Sequence, residues 1–310
     1  MSNKKQLLIL DDLGISQDDF EKTAKKDNLP FDIVWDENLA EREKVKGIIT
    51  IKTKIDQSFL EKFPDVNVIA VAFTGFDCVD LALCKKNRIA VYNVPSYSTN
   101  SVAELAVGLA ISMLREIPSG DKIIRSGKWS LKPGKELSGK TVGILGTGSI
   151  GLLVAKYFKT FGCKIVGWSR TEKETFKELG DYIPDINEFF STPDIVSIHL
   201  PLNSSTKGMI GEDELANMKP SAFLINTARG ALIDEAALTK TLTNNKIAGA
   251  ALDVFEKEPI DPNHPLLQLD NVILTPHIAY KTEEALKRRA KVTIENLINF
   301  TKNNKTNQVN

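Results

Sequence analysis

The segment "TVGILGTGSIG", Thr141 to Gly151, constrains this chain more than any other. A short apolar, strand-like run leads straight into Gly146, Gly148 and Gly151, and an apolar helical stretch, "GLLVAKYFKTFG", opens at the last of them. The spacing GxGxxG is weak by itself but specific between a strand and a helix. Gly146 permits the tight turn. Gly148 has no Cβ, so the backbone can approach a pyrophosphate, and Gly151 lets the helix pack close on the strand. Amides of the first helical turn, at Ser149 and Ile150, then face the phosphates. The segment predicts a parallel α/β sheet that binds a dinucleotide.

The rest of the chain keeps the same rhythm. "LLIL", "GIITI", "VNVIAVA" and "RIAVYNV" read as strands, with "SQDDFEKTAKK" and "DQSFLEKF" as helices between them. "SYSTNSVAELAVGLAISML" predicts a long, largely buried helix, because Val102, Leu105, Ala106, Leu109 and Met113 recur at helical spacing behind several N-cap candidates. "RSGKWSLKPGKELSGK" reads as a surface connection. From Lys140 a second alternation runs through "KIVGW", "DIVSIHL", "AFLINT", "IAGAALDV" and "NVILTP". "TEEALKRRAKVTIENLINFTKN" is an amphipathic helix that can return to the first domain, and the tail "NKTNQVN" is expected to fray. The fold class is α/β, with two doubly wound parallel sheets.

Composition excludes several functions. Forty basic residues balance 40 acidic ones, which gives no electrostatic case for nucleic acid or an anionic membrane surface. No apolar run is long enough to span a bilayer. "MSNKKQLLILDD" reads as a first strand and not as a signal peptide. Cys78, Cys84 and Cys163 lack paired spacing, so neither a disulfide framework nor a metal site is expected, and a reducing cytoplasm is the natural setting.

Cofactor choice is read from the strand after the glycines. "KIVGW" leads into Ser169, Arg170 and Thr171, where an NAD-preferring site would place an acid for the ribose 2′-hydroxyl. A hydroxyl and a guanidinium suit a 2′-phosphate, so NADP is favoured over NAD. Glu172 and Glu174 lie slightly late for the ribose role.

"VAFTGFDCVDL", "NVPSYSTNSVAELAVGLAI", "GKTVGILGTGSIG", "IVSIHLPLNSSTKGMI", "LINTARGALIDEAAL", "AGAALDVFEKEP" and "VILTPHIA" follow one another along nearly the whole chain. In this order they resemble the D-isomer-specific 2-hydroxyacid dehydrogenases. The resemblance implies a Rossmann-type nucleotide-binding domain, residues 100–281, inserted into a flavodoxin-like substrate domain, residues 1–99 and 282–310. It implies three catalytic residues: Arg229 in "NTARG", Glu258 in the "EP" segment and His277 in "TPH". Each follows a strand, and in a parallel sheet such ends share the edge where ligands bind. Arg229 would bind the carboxylate and ketone of a 2-keto acid. His277 would deliver the proton, oriented by Glu258. Asp253 is expected to orient the nicotinamide carboxamide. His199, Leu200, Pro201, Thr206, Thr227, Ala228 and Ala279 are expected along the cofactor groove. His264, beside prolines, reads as a surface loop residue.

The implied reaction is NAD(P)H-dependent reduction of glyoxylate, hydroxypyruvate or a similar 2-keto acid to the D-2-hydroxy acid. Phe73, Thr74 and Gly75 match the family's substrate-carboxylate loop, although members usually have glycine where Phe73 stands. Phosphoglycerate-handling members often carry Arg at the position of Thr50, which argues against that substrate, while Lys52 offers a partial replacement. A phosphoglycerate or phosphite dehydrogenase, or a non-enzymatic dinucleotide-sensing role as in related corepressors, are the alternatives. A homodimer is expected, with the Asn100–Met113 helix as a participant.

Overall fold

The computed structural model describes residues 5–130 and 132–310. The chain divides into two compact units, Met1–Ser98 with Lys281–Asn310, and Thr99–Tyr280.

In the first unit the strands are β1 (Gln6–Ile9), β2 (Asp32–Val34), β3 (Val45–Thr50), β4 (Val68–Val71) and β5 (Ala90–Tyr92). All pair in parallel, in the order β2-β1-β3-β4-β5, which is the flavodoxin-like arrangement. Side chains alternate between the two faces. Leu7, Ile49, Val68 and Ala70 enter one core, while Leu8, Ile48, Ile69 and Val71 enter the other. The helices α1 (Gln17–Lys26), α2 (Gln57–Leu60) and α3 (Leu81–Lys86) start at Ser16, Asp56 and Asp80, each accepting an amide of its own first turn. The C-terminal helix, Glu283–Thr301, adds Ala290, Ile294 and Leu297 to the first of these cores.

The tail overturns the expectation of fraying. Gln308 bridges Tyr92 in antiparallel sense, and the Val309 amide donates to the Val91 carbonyl at 2.8 Å. The Asn310 side chain accepts from the Val91 amide and donates to the Ile89 carbonyl. A polar sequence gives no sign of this. The cause lies on β5, whose outer edge carries backbone groups that need partners.

The second unit opens with α4 (Thr99–Leu114) and α5 (Ile117–Arg125), and continues as β6 (Thr141–Leu145), α6 (Ser149–Thr160), β7 (Lys164–Trp168), α7 (Glu174–Lys177), β8 (Asp181–Tyr182), α8 (Ile186–Ser191) and β9 (Ile195–Ile198). It ends with α9 (Glu212–Asn217), β10 (Phe223–Asn226), α10 (Glu235–Thr243), β11 (Gly249–Leu252) and β12 (Val272–Leu274). Strand order is β12-β11-β10-β9-β6-β7-β8, all parallel. The chain leaves β6 on one side to form β7 and returns on the other to form β9. That reversal opens a crevice at the carboxyl ends of β6 and β9, the dinucleotide position in Rossmann sheets. Small residues on α4, among them Ala103, Ala106 and Ala110, are buried in the core that α6 also enters. Helices α5, α7 and α8 and the two-residue β8, like β2 and α3 of the first unit, had no counterpart in the sequence reading.

Candidate active site

The glycine loop closes around its own backbone. Gly146 has φ +101°, and a Cβ there would lie 2.7 Å from the His199 carbonyl carbon and oxygen. A Cβ on Gly151 would lie 2.0 Å from the Gly146 oxygen. Gly148, which caps α6 without a side chain, faces open space instead. Two glycines are therefore required for packing and the third leaves room for a ligand. Behind the loop, His199 Nε2 lies 2.8 Å from Ser197 Oγ. The residue keeps some exposed surface, yet burial of its ring pushes the pKa down to about 3, so the ring is neutral at ordinary pH. At the end of β10, the Thr227 hydroxyl is buried and has no hydrogen-bond partner among the described residues. A helix N-terminus without a side-chain cap, an open glycine and an orphaned buried hydroxyl fit a bound dinucleotide.

The strand ends beside this loop hold the three residues that the sequence singled out. Asn226 ends β10, and its buried carboxamide spans the turn that follows. It accepts the Ala228 amide at 3.0 Å and donates to the Arg229 carbonyl at 2.9 Å. Arg229 Nη1 donates to the Ala228 carbonyl. Gly230 then passes so close to the next loop that a Cβ would sit 1.9 Å from the Phe255 carbonyl carbon. On that loop the Glu258 carboxylate turns back. Oε1 accepts the Phe255 amide at 3.0 Å, and Oε2 lies 2.7 Å from His277 Nδ1.

His277 itself is held by Asp253. Asp253 is fully buried, and its carboxylate accepts the Thr275 hydroxyl at 2.5 Å and the amides of Ile278 and Ala279 at 2.9 and 2.8 Å. Its carbonyl accepts the His277 amide. These bonds hold His277 at φ +51°, a left-handed conformation uncommon for a residue with a side chain. The Asp253 role that the structure displays is thus to build the turn under the imidazole.

Electrostatics couple the three groups. Burial by itself would raise the Glu258 pKa. The hydrogen bond and charge of His277, the Phe255 amide and the charge of Arg229 outweigh it and hold the carboxyl below its ordinary range. Glu258, and not the nearby Glu256, makes the contact with His277 Nδ1.

Around the glycine loop, Ser169 is half-buried, and Arg170 and Thr171 are exposed, all directly after β7. Glu172 and Glu174, the carboxylates slightly late for the ribose role, both pair with Lys177 at 3.0 Å. The Tyr182 hydroxyl joins Thr147 of the glycine loop, at 2.7 Å, to the Lys173 amide, at 3.0 Å. Leu200 and Pro201 follow β9, and the Thr206 hydroxyl ties that loop together by donating to the Pro201 carbonyl at 2.7 Å.

Phe73, Thr74 and Gly75 lie in the other unit, after β4. Phe73 packs edge-on to Tyr97 at 5.9 Å between ring centres, and the Asn93 carboxamide donates to the Thr74 carbonyl at 2.7 Å. In the same unit Asp11 gathers the Thr50–Thr53 loop. Its carboxylate accepts the amides of Ile51, Lys52 and Thr53 and both threonine hydroxyls.

His264 lies in the loop between β11 and β12, as its prolines suggest, and is bonded there. Its Nε2 lies 2.9 Å from Glu235 Oε1, and its side chain is 20 % exposed. Sequence reading also passed over Asn226, Glu235, Thr275 and Asp11. Only Asn226 carried a local signal, an asparagine two residues before a turn amide.

Residues 107–279 match the pattern that defines the family described as "D-isomer specific 2-hydroxyacid dehydrogenase, NAD binding domain". Over 267 residues the chain is 43 % identical to the glyoxylate reductase of Thermofilum pendens, which covers 83 % of this chain and 78 % of that one. Among solved structures it resembles the D-lactate dehydrogenase of Aquifex aeolicus complexed with NAD and lactic acid, with a TM-score of 0.87, 32 % identity, and coverage of 98 % and 99 %. The NADPH-dependent glyoxylate/hydroxypyruvate reductase of Sinorhizobium meliloti, in complex with NADP and malonate, gives 0.84, 30 %, and 96 % and 94 %. The chain belongs to the D-isomer specific 2-hydroxyacid dehydrogenase family, and its second unit is the family's NAD(P)-binding domain.

Proposed function

We propose that the protein reduces a small, unphosphorylated 2-keto acid, of the glyoxylate or hydroxypyruvate type, to the D-2-hydroxy acid. The observation that carries this reading is the 2.7 Å contact between His277 Nδ1 and Glu258, with the Arg229 charge acting on that same carboxylate. The glyoxylate reductase and hydroxypyruvate reductase relatives support the substrate class.

The nicotinamide cofactor supplies the hydride when bound. Gly146, Gly148, Ser149, Ile150 and Gly151 would hold its pyrophosphate, Thr227 would offer its hydroxyl, and Ser169, Arg170 and Thr171 would select the 2′-phosphate of NADP. His199, Leu200, Pro201, Thr206, Ala228 and Ala279 would line the groove, and Asp253 would orient the carboxamide through Oδ2, which accepts the Ala279 amide. Arg229 would pair with the substrate carboxylate and polarise the keto oxygen as charge grows on it. Glu258 occupies Nδ1 of His277, so the proton passed to the oxygen would leave from Nε2. The amides of the Phe73–Gly75 turn are proposed, on the family resemblance, for substrate carboxylate binding.

Steady-state turnover of glyoxylate, hydroxypyruvate and pyruvate with NADPH and with NADH tests the reading. Oxidation of NADPH in preference to NADH by at least one keto acid is expected. No oxidation of either cofactor across the panel would favour a dinucleotide sensor. We further propose a homodimer built on the second unit, where Ile117, Ile124 and Trp129 expose 52 %, 53 % and 90 % of their surface. Light scattering of wild type and Ile124→Lys checks it.

A further inference from the structure

The loop that carries Glu258 is held from outside the reacting trio. Consecutive amides on this loop donate to two different glutamates: Phe255 to Glu258 Oε1 at 3.0 Å and Glu256 to Glu235 Oε2 at 3.1 Å. The other oxygen of Glu235 lies 2.9 Å from His264 Nε2. His264 ends the same loop, and its Nδ1 accepts the Leu266 amide at 3.2 Å. A ring nitrogen that accepts an amide carries no proton, so the ring proton sits on Nε2 and is donated to Glu235. Each half of the imidazole therefore has one assigned partner.

Glu235 is the first residue of α10, yet its carboxylate is not spent on capping that helix. Asp234 already does so, accepting the amides of Ala236 and Ala237. The Glu235 and His264 side chains are only 17 % and 20 % exposed, which separates this pair from an ordinary surface contact. Glu235 also follows Arg229 closely in the chain, through the turn whose Gly230 is jammed against Phe255 and Glu256.

We infer that Glu235, bridged to His264, is a positioning residue that fixes the Glu258 loop against the Arg229 turn. The inference rests on the reading of Glu258 and His277 as the acid–base pair. By gripping the Glu256 amide, Glu235 sets the backbone from which Glu258 reaches His277. In this reading both act through the loop backbone and not on the reacting atoms.

The experiment is a double-mutant cycle combined with amide hydrogen exchange. Glu235→Ala is made in the wild-type and Glu258→Gln backgrounds, and kcat and KM for glyoxylate are measured. Expected is a fall in kcat of about tenfold in the wild-type background, with KM within about twofold, and little further loss in Glu258→Gln. Amides of residues 254–258 should exchange faster in Glu235→Ala, while those of β6 and α6 stay protected. His264→Gln, which keeps a donor near the Nε2 position, should retain more activity than His264→Leu. Equal losses in both backgrounds, or unchanged exchange at 254–258, would overturn the inference. If the wild type reduces no keto acid, it is the functional reading that fails, and the exchange measurement alone then decides whether the clamp exists.

Discussion

Arg229, proposed to bind the substrate, shows how much of a side chain's placement is fixed by its neighbours. Its backbone is held by the Asn226 carboxamide, and Gly230 beside it has no room for a Cβ. Arg229→Gln keeps polarity but removes the bidentate guanidinium, so kcat/KM for the keto acid should fall by about 10²–10³. The cofactor Kd, read by fluorescence titration, should stay within about twofold. Gly230→Ala meets backbone and not a flexible side chain, so one of the two loops must move. Loss of turnover comparable to removing a catalytic acid, about 10²–10⁴, is expected with protein that still binds cofactor. A crystal structure of the variant would show the Glu258–His277 contact lengthened.

At the scale of single elements, two loops carry testable chemistry. The Thr50–Thr53 loop hangs on Asp11. Burial alone would raise that carboxyl's pKa, but the amides of Ile51, Lys52 and Thr53 and the Thr50 hydroxyl outweigh it and lower it. A lowered folded pKa gives stability that is complete above the unfolded value, about 3.9, and is lost as pH falls through the folded one. Asp11→Asn should therefore cost about 1 kcal/mol or more near neutrality, allowing for a half-exposed group. The gap to wild type should close below about pH 4, and urea melts across pH would show it. The second loop follows β7. Ser169→Asp adds a ribose acceptor and repels a 2′-phosphate, so the NADPH/NADH ratio of kcat/KM should fall, and an unchanged ratio would contradict the placement of the 2′-phosphate there.

For the whole molecule, the two sheets were legible from periodicity. Apolar runs broken by capped helices, such as Ser16 before α1 and Asp56 before α2, announce βαβ units because each signal is local to a few residues. The glycine loop was legible for the same reason. Cofactor binding belongs to one unit, so NADPH at about 100 times its Kd should stabilise that unit by about 2.7 kcal/mol. Calorimetry with and without NADPH would register the shift, and none is expected with the keto acid alone.

Alternation, turn chemistry and helix caps are short-range. The amino-acid order therefore specified two parallel α/β units, a dinucleotide loop and, by family resemblance, Arg229, Glu258 and His277. It was silent on the tail that pairs with β5, on Asp11 beneath its loop, and on the bonds that tie Glu235 to His264 and to the Glu256 amide. Those depend on which backbone groups are left unpaired after the chain has packed. An amide or an edge strand acquires its partner in space, and no spacing along the chain encodes that need.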